Sequence, residues 1–181
     1  MTSFPFLTLA LAFLVVILSA GVFSAAPWVP TRRRERAAML KEVKIEPGQV
    51  VYDLGCGDGI VLIDLARRQP DARYVGFEIA PAPWFIGQVR RLLAGRAARN
   101  VSLRLRDFFG RELGDADVIF AFLTEPAHQK LAAALSGGVK PDAVIVIEGW
   151  PLPGPAPERV VTTPQALPFY IYRGRQFLGS A

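Results

Sequence analysis

The chain has 181 residues and a net charge of +5, from 21 Lys and Arg against 16 Asp and Glu. That length fits one domain with a full core plus one appendage. Its single cysteine, Cys56, excludes an internal disulfide and a multi-cysteine metal site, and one histidine, His128, leaves little for a histidine metal site or a Ser-His-Asp triad.

The first element is apolar. Phe4 to Ala26 carries no charged side chain, and about 20 such residues as a helix cross a hydrocarbon core of about 30 Å. Trp28 follows where an interfacial aromatic belongs, and then "TRRRER", Thr31–Arg36. A cleaved secretion signal would carry its positive charge ahead of the apolar run, whereas here the charge comes after it. The pattern predicts an N-terminal unit, residues 1–31, holding one transmembrane helix over about 4–26. Under the positive-inside rule the body, residues 32–181, faces the cytoplasm from a single-pass membrane anchor. "TRRRER" then reads as a topology and headgroup signal and not as a nucleic-acid patch.

The body alternates strands and helices. Arg33–Val43 has helical composition, with Ala37, Leu40 and Val43 at helical spacing. Val50–Leu54 is a short apolar strand that runs into "GCGDG", and Ile60–Arg68 resumes as a helix. Ala72–Ile79 predicts a second strand, Pro83–Ala98 a second helix and Asn100–Asp107 a third strand. Ala116–Leu123 and Ala143–Gly149 are continuous apolar strands of the buried parallel kind, on either side of a helix over Glu125–Leu135. Strands alternating with helices of this length predict βαβ units: an α/β, doubly wound, mostly parallel sheet with helices on both faces. After the proline-rich stretch Trp150–Glu158, "RVVTT" and "FYIYRGR" predict an antiparallel C-terminal strand pair.

The glycine turn Gly55-Cys56-Gly57-Asp58-Gly59 leaves a strand at its carboxyl end, where open α/β sheets bind ligands. A phosphate-binding P-loop needs a lysine and a hydroxyl that are absent here. A dinucleotide turn, the second reading with NAD as ligand, wants its third glycine where this chain has Ile60, and a pyrophosphate gains little from a turn carrying Asp58 and preceded by Asp53. S-adenosylmethionine fits better: it has no phosphate, and its sulfonium and ammonium are cationic. Asp53 and the loop glycines Gly55, Gly57 and Gly59 then form the cofactor turn. Glu78, which closes the second strand 25 residues on, can accept from both ribose hydroxyls. Asp107 ends the third strand, placed to accept from the adenine amino group, with Phe108 to cover the ring. The plainer readings are a helix N-cap for Asp107, a solvated carboxylate for Glu78 and a small turn residue for Cys56.

With those residues placed, the chain resembles the class I, seven-strand, Rossmann-like S-adenosylmethionine-dependent methyltransferases. "YDLGCGDG" is similar to their first motif, Glu78 in "VGFEI" to the acid of the second, and Asp107 in "RDFF" to the acid near adenine. "APWVPT", "EPGQVVYDLGCGDG" and "DADVIFAFL" further resemble the membrane-anchored lysine methyltransferases acting on the adenine nucleotide translocase and the ATP synthase c-subunit, with their prokaryotic relatives. The resemblance implies S-adenosylmethionine as methyl donor, no metal, and N-methylation of a lysine on a protein, itself a candidate membrane protein. The chain departs from many of those relatives at Phe122, where they have an aromatic hydroxyl, and is only loosely similar over "EGWPLPG".

A lysine acceptor must shed its proton before attack. Glu125, just past the fourth strand, is the candidate catalytic residue for positioning the acceptor; its alternative is an acid that stabilises the first turn of a helix. Trp150 either lines the acceptor channel or packs under the proline loop. Nucleic acid is disfavoured as substrate: "TEP" does not supply the [DN]-P-P-[YF] signature that resemblance would require, and no Pro-Cys supplies a cytosine-methylating thiol. Two other readings keep the glycine loop. One is a methyltransferase acting on a lipid, quinone or other membrane-resident small molecule. The other is a non-catalytic S-adenosylmethionine-binding or scaffold module.

Overall fold

The computed structural model describes Thr8 and residues 33–109, 113–164 and 166–179. Apart from Thr8, the expected anchor over 4–26 lies outside the described residues. Among those described, no helix is long and apolar enough to cross a membrane.

The body runs α1 (Arg33–Glu42), β1 (Val50–Leu54), α2 (Ile60–Arg68), β2 (Arg73–Glu78), α3 (Pro81–Ala94), β3 (Val101–Leu105), β4 (Val118–Ala121), α4 (Glu125–Ser136), β5 (Val144–Glu148), β6 (Arg159–Val161) and β7 (Phe169–Arg173). All seven strands form one sheet in the order β3-β2-β1-β4-β5-β7-β6. The first five are parallel, β7 runs antiparallel to β5, and β6 runs antiparallel to β7. This is a Rossmann-like sheet whose strand order reverses between β1 and β4, the place where such sheets bind ligands.

The strands β1, β2, β4, β5 and β7 divide their buried side chains between two cores. Val51, Val118, Phe120 and Val146 face one layer with α1 and α2, while Tyr52, Leu54, Ile119, Ile145 and Ile147 face a second with Leu131 and Leu135 of α4. A strand buried on both faces reads as a continuous apolar run, which is why β4 and β5 stand out in the sequence.

Several boundaries differ from expectation. The α3 helix begins at Pro81, a residue suited to the first turn, and ends before Gly95, whose φ of 56° is left-handed. Residues 95–98, expected as helix, form a 3₁₀ turn. The β4 strand stops at Ala121, opposite Leu54, because β1 turns away at Gly55 and leaves Phe122 and Leu123 no ladder partner. The C-terminal pair forms as expected, but β7 also inserts against β5, with Glu148 opposite Phe169. That leaves the three-residue β6 as the outer edge, and short edge strands resist pairing with other chains.

At the amino-terminal edge of the sheet, Asp117 accepts the Val50 N–H at 2.7 Å and Lys140 Nζ at 2.6 Å. This edge fastens β1 and β4 to the turn before β5. The opposite, carboxyl edge is where the carboxylates collect.

Candidate active site

Beyond β1 the backbone is held by its neighbour: Gly55 and Cys56 both donate their N–H to the Phe77 carbonyl at 2.9 Å. Gly55, Gly57 and Gly59 have φ of 89°, 53° and 68°, where an L side chain is strained. The Cys56 thiol is buried and rests over Gly76 of β2; a Cβ added at Gly76 would lie 2.5 Å from its sulfur. Burial, with Asp53 and Glu78 nearby, pushes that thiol up, so Cys56 serves the turn as a small packed residue.

Three buried carboxylates surround the turn. Glu78 is 9 % exposed. Its Oε2 accepts the Gly57 N–H at 2.9 Å, and its Oε1 accepts the Ala80 N–H at 2.7 Å. Asp58 accepts the Ile60 N–H at 3.2 Å and pairs with Arg90 of α3 at 2.7 Å. Asp53 is 6 % exposed, and among the described residues its carboxyl has no hydrogen-bond partner. Burial, then the charges of Glu78 and Asp58, raise its carboxyl to about 7. Three acids against one paired guanidinium leave the turn short of positive charge.

A cavity of about 400 Å³ opens over this edge. Asp53, Gly55, Gly57, Glu78, Asp107 and Phe108 all line it, so the fold gathers six of the expected residues around one space. Gly59 does not line it. A Cβ there would lie 2.8 Å from Leu103 Cδ1, so Gly59 lets the start of α2 pack tightly against β3. Asp107 Oδ1 accepts the Phe109 N–H at 2.9 Å in a local turn, with no helix following it among the described residues before β4, and its side chain stays exposed. That turn lays the buried Phe108 ring 4.2 Å from Phe109. Lys130 sits 5.8 Å from the Phe109 ring centroid.

On the other side of the cavity stand Phe122, Thr124, Glu148 and Trp150. Glu125 is exposed on the first turn of α4 and is not among the lining residues, which matches the helix-dipole alternative. The acid lining the cavity beside Phe122 and Trp150 is Glu148, 4 % exposed at the end of β5. Sequence reasoning passed over it. The signal was a carboxylate closing the apolar run "AVIVIE", since a buried acid in a central strand is rare without a purpose.

Among the described residues no group of three or more His, Cys, Asp or Glu is placed to hold a metal ion. His128 is buried in α4, its Nδ1 3.4 Å from the Pro151 carbonyl, and does not line the cavity.

Residues 53–159 match the ANTKMT methyltransferase domain. A protein-lysine N-methyltransferase of Saccharolobus islandicus is 30 % identical over 139 residues, which cover 75 % of this chain and 83 % of that protein. The ribosomal protein L11 methyltransferase of Burkholderia mallei is 32 % identical over 114 residues, but they cover only 34 % of that longer protein. Among solved structures, an RNA methyltransferase from Salinibacter ruber in complex with S-adenosyl-L-homocysteine superposes with a TM-score of 0.75 at 29 % identity, covering 84 % of this chain and 96 % of that one. Strand order, carboxyl-edge cavity and sequence agree: the chain belongs to the ANTKMT methyltransferase domain family and has the class I S-adenosylmethionine-dependent methyltransferase fold.

Proposed function

We propose that this S-adenosylmethionine-dependent methyltransferase N-methylates a lysine of a protein substrate while tethered to a membrane. The observation that carries the reading is the cavity itself. One end is a glycine turn ringed by Asp53 and Glu78, and the other is an apolar wall holding a buried carboxylate, Glu148.

The donor end fits a cationic cofactor without phosphate. S-adenosylmethionine supplies a methyl group on a sulfonium. Asp53 is available to a cation because no other described group hydrogen-bonds to its carboxyl. Each Glu78 oxygen, having spent one lone pair on a backbone N–H, keeps another for a ribose hydroxyl. Asp107 accepts from the adenine amino group and Phe108 covers the ring.

The acceptor end fits an amine. Glu148 attracts an ammonium, aligns the nitrogen and takes up its proton, while Phe122 and Trp150 flank the aliphatic stem and exclude water. A buried carboxylate repels a phosphodiester. That favours the acceptor named for the Saccharolobus relative over the one named for the Salinibacter protein. The tether is the uncharged segment Phe4–Ala26, followed by Trp28 and "TRRRER", with the body on the cytoplasmic side.

A tritiated-methyl assay on membranes holding the full chain tests the acceptor. Extraction should leave the label in protein and hydrolysis should recover it as methyllysine; label in the lipid fraction would replace the protein acceptor with a membrane small molecule. Protease added outside intact cells should spare the body, and its digestion would reverse the topology.

A further inference from the structure

The α3 helix is apolar on two sides. Pro83 and Gly87 are buried toward the sheet. Phe85, Ile86, Val89, Leu92 and Leu93 point to solvent on a stripe spaced i, i+1, i+4, i+7, i+8, with Phe85 64 %, Leu92 79 % and Leu93 82 % exposed. With Arg67 and Arg90, Phe85, Ile86, Val89 and Leu93 frame a groove between α2 and α3. Ile79, exposed just ahead of α3, lines the active-site cavity. Single exposed apolar residues are ordinary, but a contiguous stripe of this size marks a contact surface.

Charge decides what covers it. From Ile79 to Asn100 there is no Asp or Glu, while Arg90, Arg91, Arg96 and Arg99 fall within or just after the stripe in sequence, and Arg67 of α2 meets Arg90 at the groove. A second copy packed on this face would set those arginines against their equivalents. The chain's own segment Phe4–Ala26 has no charge to offer them. An anionic lipid surface meets both needs, acyl chains for the stripe and headgroups for the guanidinium rim. The start of the body lies beside the groove: Arg36 of α1 pairs with Asp64 at 3.1 Å, and Asp64 also pairs with Arg67 of the groove at 3.1 Å.

We infer that the outer face of α3 lies on the anionic leaflet of the membrane, with the Ile79 rim of the catalytic cavity beside the lipid surface. The inference rests on the anchored reading only for the tether that brings the chain to a bilayer.

The full chain, carrying an environment-sensitive thiol label at Leu93→Cys, is reconstituted into phosphatidylcholine vesicles with and without phosphatidylglycerol. A second preparation carries the label at Ala133→Cys on α4, on the far side of the sheet. Cys56 is buried, and the unsubstituted chain labelled in parallel reports any background. The label at 93 should shift to the blue and be quenched by brominated acyl chains, more strongly with phosphatidylglycerol, while the label at 133 stays in water. If the chain floats with the vesicles but 93 behaves like 133, the surface contact is overturned and the anchor stands. If the chain fails to float and 93 stays in water, both fall. A lipid-independent shift at 93 overturns the inference too, in favour of the chain's own segment if it is insensitive to protein concentration, or of a second copy if it grows with concentration.

Discussion

Glu78 holds Gly57 in place: its Oε2 accepts the Gly57 N–H at 2.9 Å while its Oε1 reaches Ala80 at 2.7 Å. The residue expected to grip the ribose is therefore also the clamp that ties the glycine turn to the start of α3. Its two tasks separate on substitution. Glu78→Ala strands two N–H groups, at roughly 1–3 kcal/mol each where they remain buried. Glu78→Gln keeps one acceptor and the shape. Thermal unfolding should show a large loss for the alanine variant and a smaller one for glutamine, while calorimetry shows weakened cofactor binding in both. Wild-type affinity in Glu78→Gln would remove Glu78 from the ribose.

Asp53 sets a pH dependence. Its carboxyl, near 3.8 when unfolded, lies at about 7 in the fold, chiefly through burial. The folded state thus holds this proton more tightly than the unfolded state. The resulting stabilisation is fully present below pH 3.8 and is lost as pH rises through about 7. Asp53→Asn cannot titrate, so the melting temperature of wild type minus that of the variant should fall between pH 4 and 7. A cationic ligand acts in the other direction by favouring the carboxylate. Cofactor affinity should rise with pH toward 7 and release a proton below it, as calorimetry in buffers of different ionisation enthalpy would register. Both trends should vanish in Asp53→Asn.

Glu148 on the cavity wall and Glu125 off it make opposite predictions. Glu148→Gln should lower kcat by about 10²–10⁴-fold, the usual contribution of a positioned acid or base, with cofactor affinity little changed. Glu125→Ala, on an exposed first turn, should stay within about 0.5 kcal/mol of wild type in stability and leave kcat intact. A drop in kcat at Glu125 with none at Glu148 would return the acceptor role to the helix.

What the sequence made legible follows from which patterns are local. The strands β1, β2, β4 and β5 are short apolar runs bounded by turn residues, and a strand buried on both faces has no other way to read. The turn Gly55–Gly59 stands out because left-handed backbone needs glycine. The place of β7 between β5 and β6 is not local, since "FYIYR" carries the same alternation at an edge as in the interior. Glu148 escaped notice for a related reason. Its role depends on β5 ending beside the cavity, whereas Glu125 drew attention by standing in a loop-to-helix junction. The stripe on α3 is equally hidden, because apolar residues on a helix do not show which face is buried until the packing turns Pro83 and Gly87 inward.

Gly87 tests whether the cofactor turn rests on α3. Replacing a mid-helix glycine with alanine ordinarily gains up to about 1 kcal/mol. Here the new Cβ would lie 2.8 Å from Leu103 Cδ1 and 3.1 Å from the Asp58 carbonyl carbon and oxygen. The leucine end can rotate away. The Asp58 backbone cannot easily follow, because its side chain is held at 2.7 Å by Arg90 of the same helix and at 3.2 Å by the Ile60 N–H. Overpacking of this kind costs about 1–3 kcal/mol, which exceeds the helical gain. Gly87→Ala should therefore unfold at lower temperature and bind S-adenosylmethionine more weakly, since relief requires moving the turn that lines the cavity. Unchanged melting and affinity would mean that α3 can shift outward without disturbing Asp58, and that β2, through the Phe77 carbonyl and Glu78, holds the loop without α3.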